Sequence, residues 1–346
     1  MSDHPPAHIE IPALVEPHAH LDKAFLAERV PNPTGDLMGA IYAIEAARDS
    51  ITVADTIERA ERAARLMLAN GVTAIRTHAD TTVFNGLTSV HALIEVRERL
   101  RELMTIQVCA LTGWPVLGNE GAEHRALLHA AIDAGVDLIG GCPHLEDDPN
   151  AANDFFLGVA AEHDLPLDLH TDETLDPRAT ALADLADKVI STGHCGMVTA
   201  SHCVSLSVAD ETTQRRVAER LAQAGIGVIA LPQTNLFLQG RDHQQSMPRA
   251  VAPVRALRAA GVVVAAGADN LQDPFNPVGR GDPLETASLM IVATHVLPND
   301  ALAMVSTLAR QVIGLPPSAD RVRVPASSVR EAIAFGPSGR QLLRSG

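Results

Sequence analysis

Residues with metal-binding or proton-transfer chemistry fall at the ends of short apolar runs: His18 and His20 in EPHAHLD, His170 and Glu173 in DLHTDE, His202 in TASHC, and Asp269 with Asn270 in AAGADN. In an extended chain, residues i and i+2 project to the same side, so the imidazoles of His18 and His20 can reach one ion. Three imidazoles, from His18, His20 and His170, and the carboxylate of Asp269 suit one divalent metal ion, Zn2+ or Fe2+, with room left for water. Such an ion lowers the pKa of a bound water and supplies hydroxide near neutrality. Glu173 is then the natural carrier of a proton from that water to a departing amine. His202 can hold the hydroxide or polarise the reacting centre, and Asp269 can bind the metal and briefly take a proton. A single strand-end histidine is most often a satisfied polar residue, and an isolated H-x-H is weak. The weight lies in the joint pattern.

Elements that could bring these groups together follow from the hydrophobic period. Strand-like runs occur at Ala13–Glu16, Val72–Thr77, Thr105–Leu111, Asp137–Cys142, Leu167–His170, Met197–His202, Gly227–Leu231 and Val262–Gly267. Between them lie helical patterns such as Asp55–Asn70 and Thr212–Ala224. Gly71, Gly135, Gly225 and Gly261 each close such a pattern just before a strand. Eight β-then-α units with nearly continuous apolar strands call for parallel pairing covered on both faces. The α/β solution that closes them is a (β/α)8 TIM-like barrel, whose catalytic groups sit at the C-terminal strand ends. The candidate groups end strands one, five, six and eight. A doubly wound open sheet would place a glycine-rich turn after the first strand, where this chain has HAHLDKAF. The expected organisation is a barrel over residues 1–313 and a Pro-, Ser- and Arg-rich tail over 314–346, with a strand and a helical turn packed on the barrel.

Composition narrows the class of ligand. Among 346 residues, 27 Lys and Arg stand against 42 Asp and Glu, a formal charge of −15, so nucleic acid and anionic lipid are poor partners. Aromatics at 3% leave few stacking platforms. No apolar run reaches the length of a membrane span, and MSDHPPAHIEIP lacks the basic start and apolar core of a signal peptide. Cys109, Cys142, Cys195 and Cys203 form no C-x-x-C pair and read as thiols of a reducing, cytoplasmic compartment. The expected partner is a small molecule. A homo-oligomer is left open.

Taken together, PHAHLDKAF, LHTDE, VTASH, LFLQGR and GADNLQDPFNPVG resemble, in order and spacing, the branch of the amidohydrolase superfamily that holds the cytosine deaminases and the N-isopropylammelide hydrolase. CPHLED, with His144 and Glu146, matches more weakly. The resemblance runs from about residue 12 to 310 and implies a deaminase acting on a heterocycle of pyrimidine or triazine type. It implies a metal held by His18, His20, His170 and Asp269, a proton-shuttling Glu173 and a strand-six His202. No lysine matches the carboxylated bridge of binuclear relatives, which implies a single ion.

The chain also departs from the cytosine deaminases. Thr112, in CALTGWPV, stands near the place where they carry a Gln that reads the pyrimidine amide, and Trp114 after it can stack on a flat heterocycle; Asn270 replaces a second Asp, and Phe275 a Trp. Lys23 in HLDK and the Asp–Asn pair look more like the N-isopropylammelide hydrolase. Lys23, Thr112, Trp114, Asn270 and Phe275 are therefore the candidate substrate contacts, with Lys23 also readable as a lysine beside a barrel mouth and Trp114 as a loop anchor. Gln239 and Arg241 can hold a covering loop. Only 17 residues precede His18, too few for half of the family's usual small β-sandwich, which is expected to be reduced or absent. Two rivals stand beside the deaminase: a hydrolase of cyclic amides resembling dihydroorotase, and a catalytically silent metal- or ligand-binding barrel, which would have no use for Glu173.

Overall fold

The computed structural model describes residues 8–345; the opening MSDHPPA, in which no signal peptide was expected, lies outside them. Eight strands form one parallel sheet in sequential order: β2 (Leu14–Ala19), β3 (Val72–Thr81), β4 (Thr105–Thr112), β5 (Leu138–Gly141), β6 (Leu167–Thr171), β7 (Val198–His202), β8 (Gly227–Ala230) and β9 (Val264–Ala266), after a short β1 (Ile9–Pro12). These are the eight apolar runs of the sequence, displaced by a few residues at their ends. The two outer strands meet at their C-terminal ends, where His20 N donates to Asp269 O at 3.1 Å and Asp269 N to His18 O at 3.0 Å. Barrel closure therefore runs through three of the candidate metal ligands.

The outer helices are amphipathic. Helix α2 (Val53–Ala69), capped by Thr52, turns Thr56, Arg59, Ala60, Ala63, Ala64 and Met67 inward at spacings of three and four. Its Arg59 donates to Asp22 O at 2.7 Å and Ala24 O at 3.0 Å, pinning the chain just beyond His20. Gly71, which follows this helix, has a φ of 95°, and a Cβ there would lie 2.7 Å from Val322. Only glycine meets both demands.

Two features go beyond the sequence expectation. Between β2 and α2 the chain inserts α1 (Leu37–Ala47), a short helix with a single fully buried residue, Ala40. The stretch 314–346 carries β10 (Arg321–Val324), a helix over Val329–Phe335 and β11 (Gln341–Leu343). β10 pairs with β1 on one side and β11 on the other, all antiparallel. The small sheet made from both chain ends is thus reduced to three strands. Within it, β10 alternates exposed Arg321 and Arg323 with buried Val322 and Val324, the pattern of a half-buried strand. Four-residue β1 is too short for that alternation to stand out in the sequence. Among the described residues, no helix is long and apolar enough to cross a membrane.

Candidate active site

Side-chain parity explains most of the barrel interior. On β2, Glu16, His18 and then His20 share one face; on β3, Arg76, His78 and Asp80; on β6, Asp168 and His170. His202 breaks the rule, since Ser201, its neighbour on β7, already faces inward against His18 and Asp168. It reaches the centre because the strand ends in left-handed backbone, with φ of 68° at His202 and 52° at Cys203. Asp269 adopts the same region at 68°. Such a conformation costs a non-glycine residue about 1–3 kcal/mol, which the surrounding packing must offset.

Five of the six expected groups form one cluster. His20 Nε2 lies 3.2 Å from His170 Nε2 and 3.1 Å from Asp269 Oδ1, and His18 Nε2 is 3.5 Å from the same oxygen. His202 Nε2 stands 3.9 Å from Asp269 Oδ2. Burial, reinforced by neighbouring imidazoles, holds His18 and His170 well below the ordinary histidine range; burial and the Lys23 ammonium do the same to His20. These rings are neutral, as ligands must be. His18 Nε2, His202 Nε2 and Asp269 Oδ1 are buried with no hydrogen-bond partner. Two ligand groups, His18–His20–His170 and His18–His202–Asp269, each with atoms within 4.8 Å, share His18. Converging imidazole nitrogens and carboxylate oxygens, three of them buried without a partner, fit a divalent cation.

Beneath the cage lies a polar layer that the sequence reading did not identify. Ser201 Oγ donates to Asp168 Oδ1 at 3.0 Å and sits 2.9 Å from His18 Nδ1. With its proton given to Asp168, Ser201 accepts from His18, which places the His18 proton on Nδ1 and leaves Nε2 free. Asp168 Oδ2 in turn accepts from Arg76 Nη1 at 2.7 Å, and both side chains are wholly buried. A third possible ligand group, His18–His78–Asp168, lies here, but the Arg76 guanidinium already occupies Asp168 and opposes a second cation. The available signal was RTHAD, whose alternate residues point inward by the same two-residue rule that paired His18 with His20.

Glu173, just past β6, is raised well above the carboxylate range by burial and by the Asp269 charge. Asn235 Nδ2, from α8 (Pro232–Leu238), lies 3.2 Å from Glu173 Oε1 and 3.0 Å from His202 Nδ1. It ties the two groups together, and it had no signal in the sequence. Gln239 Nε2 donates to the Glu173 carbonyl at 3.1 Å, while Arg241 stacks 4.6 Å from the Phe237 ring. Both hold the loop. Glu146 likewise secures a loop, accepting from Val116 N at 2.7 Å.

The cage forms the floor of a pocket. Lys23, Thr112, Trp114, Asn270 and Phe275 all line it, as does His144. Their availability differs. Thr112 Oγ1 is buried without a partner. Asn270 is engaged within the fold, donating to Asp273 at 2.7 Å and accepting from Thr234 at 3.3 Å. Lys23 Nζ donates to Asp80 Oδ1 at 2.6 Å and lies 3.1 Å from His20 Nδ1. An ammonium at that distance donates, so ligation through His20 Nε2 requires this contact to lengthen toward Asp22, whose Oδ1 is 3.7 Å away.

Residues 43–319 match the model of the amidohydrolase family. A pterin deaminase of Rhizobium rhizogenes is 34% identical over 348 residues, covering 97% of this chain and 79% of that protein. The crystal structure of 5-methylcytosine deaminase from Klebsiella pneumoniae, liganded with 5-fluorocytosine, superposes with a TM-score of 0.88 at 29% identity, over 97% of this chain and 84% of that one. The N-isopropylammelide isopropylaminohydrolase from Burkholderia multivorans does so at 0.82 and 31%, over 98% and 85%.

Proposed function

The chain belongs to the amidohydrolase family of metal-dependent hydrolases acting on carbon–nitrogen bonds, and from that premise we propose that it deaminates an amino-substituted nitrogen heterocycle of pterin, pyrimidine or triazine type. One observation carries the reading: Glu173, raised by burial, stands at the rim of a cage of neutral imidazoles and one carboxylate, on the floor of a pocket.

His18, His20, His170 and Asp269 would hold one divalent ion, Zn2+ or Fe2+. When bound, it supplies activation of a water and polarisation of the reacting carbon. A single ion is supported by the lysine inventory. The sequence has two lysines: Lys23 is engaged by Asp80, and Lys188 lies on the outer helix over Ala181–Thr192, paired with Asp154 and Asp184. Neither can serve as a carboxylated bridge between two ions, which also counts against a binuclear ring-opening hydrolase.

Hydroxyl adds to the ring carbon as the remaining water proton passes to the adjacent ring nitrogen; the hydroxyl proton then passes to the amine, whose C–N bond breaks to release ammonia as the carbon becomes a carbonyl. Glu173 carries that proton, and its raised pKa keeps the acid form available near neutrality. Asn235 orients it. His202 faces the same space and positions the attacking oxygen. Trp114 and Phe275 offer flat walls for a ring, and the Thr112 hydroxyl is free to reach a ring heteroatom.

The test is Glu173→Gln in metal-loaded protein, followed by ammonia release from pterin, aminopyrimidines, aminotriazines and creatinine-like rings. The expected loss is about 10²–10⁴-fold with metal content unchanged. Undiminished turnover would sink the assigned role of Glu173, and no ammonia from any ring at full metal occupancy would sink the deaminase reading.

A further inference from the structure

The floor of the pocket accounts for the chemistry but for little of its wall. Above the cage, Leu37, Ile41 and Ile44 of α1 face the cavity, joined by Ile51, Phe84 and Leu145 from neighbouring segments. None carries a polar side-chain atom. Phe84 is 52% exposed, so its ring is accessible to a bound molecule. A bare six-membered ring held at the cage would touch little of this wall.

The charges point the same way. Two permanent cations reach the wall, Lys23 and Arg48. Lys23 is answered by Asp80 at 2.6 Å and Asp22 at 3.7 Å; Arg48 stands 3.7 Å from Asp49 and beside Glu45. Four carboxylates line the same cavity, Glu45, Asp80, Glu173 and Asp269. Against α1, an anionic substituent would give up water to an apolar wall whose nearby cations, Lys23 and Arg48, already stand beside carboxylates. An apolar one would displace water from Ile41, Ile44 and Phe84.

We propose that the substrate is an uncharged amino-heterocycle bearing an apolar substituent, its amine directed to the cage and its substituent lying against α1. This rests on the deaminase reading and specifies which member of that class the site selects.

The experiment compares kcat/KM for pterin, 6-methylpterin, 6-propylpterin and pterin-6-carboxylate in metal-loaded protein, because the 6-position lies across the bicycle from the 2-amino group. The expected result is a gain of up to about fourfold per methylene, with the carboxylate below the unsubstituted ring. In the double variant Ile41→Ser with Ile44→Ser, the propyl-to-hydrogen ratio should fall toward one, a comparison internal to one protein and so independent of how well it folds. A flat alkyl series, a preferred carboxylate or an unchanged ratio in the variant would overturn the proposal. If pterin itself is inert, the same substituents are carried on a 2-amino-1,3,5-triazine. If neither core releases ammonia, the deaminase reading falls, and the apolar wall is judged separately from the melting-temperature shift each ligand produces. Propyl must then exceed carboxylate, or the wall assignment falls too.

Discussion

Two regions of this chain use the same kind of ion pair to different ends. Beneath the metal cage, Arg76 and Asp168 meet at 2.7 Å with both side chains wholly buried. In the small sheet made from the chain ends, Arg323 meets Glu10 at 3.0 Å with the side chains 44% and 49% exposed. In water, such a pair contributes ~0–1 kcal/mol. Inside the barrel neither charge has water to fall back on, so removing one partner leaves the other stranded. The buried pair is also connected: Asp168 reaches Ser201, and Ser201 reaches His18. Geometry at the floor is thereby fixed, whereas the sheet at the periphery only joins the two ends of the chain.

The sharpest way to break this contrast is Arg76→Met. It should cost about 3–5 kcal/mol in urea unfolding, with much of the loss recovered when Asp168→Leu is added. A cost under 1 kcal/mol would place the buried pair with the surface ones. Ser201→Ala tests whether the layer positions a ligand or merely packs. Metal affinity, read by competition with a chromophoric chelator, should fall about 10–100-fold, while stability changes by only about 1 kcal/mol. Ser201→Thr, which keeps the hydroxyl, should restore affinity; equal stability loss without an affinity change would leave a packing role alone.

At the periphery the effects should be small and dependent on conditions. Asp320 accepts from Ser345 N and Oγ, both at 2.9 Å, and from Arg344 at 3.1 Å. The Ser345 backbone N–H, ahead of the Ser345 hydroxyl and Arg344, holds its carboxyl below the usual range. A depressed folded pKa stabilises above the unfolded value of about 4 and loses that stabilisation as pH falls through the folded one. Asp320→Asn should therefore lower the melting temperature at pH 7, and the gap to the parent should close as pH falls through the depressed folded pKa. A gap that persists there would mean that hydrogen bonding alone, not charge, ties the C-terminus. Last comes Arg323→Ala, expected within about 0.5 kcal/mol of the parent in the same unfolding assay.

Much of this architecture was legible in the chain. Eight apolar runs separated by helical periods became eight consecutive barrel strands, and His18, His20, His170, Glu173, His202 and Asp269 converge on one floor. Arg76, His78 and Asp80 were equally accessible to the two-residue rule, but the expected run stopped at Thr77, whereas β3 continues to Thr81 and carries the alternation on. Asp168 and Ser201 are ordinary strand residues by type. Asn235 lies on a seven-residue helix with no motif around it, and α1 has too few buried positions to declare its packing. The three-stranded sheet joins residues over 300 apart, as in Ile9 opposite Val324, a pairing no local pattern encodes.

By itself, the sequence determined what is local. Periodicity sets strand or helix, and parity within a strand sets which side chains share a face. What the tertiary structure decided was which faces meet. Closure of β2 against β9 brings Asp269 to His18 and His20, and left-handed backbone at His202 turns a side chain of the wrong parity into the cage. It also decided which arginine lost its water. Burial, unlike residue type, is a property of the whole packed chain, and it is burial that separates Arg76 from Arg323.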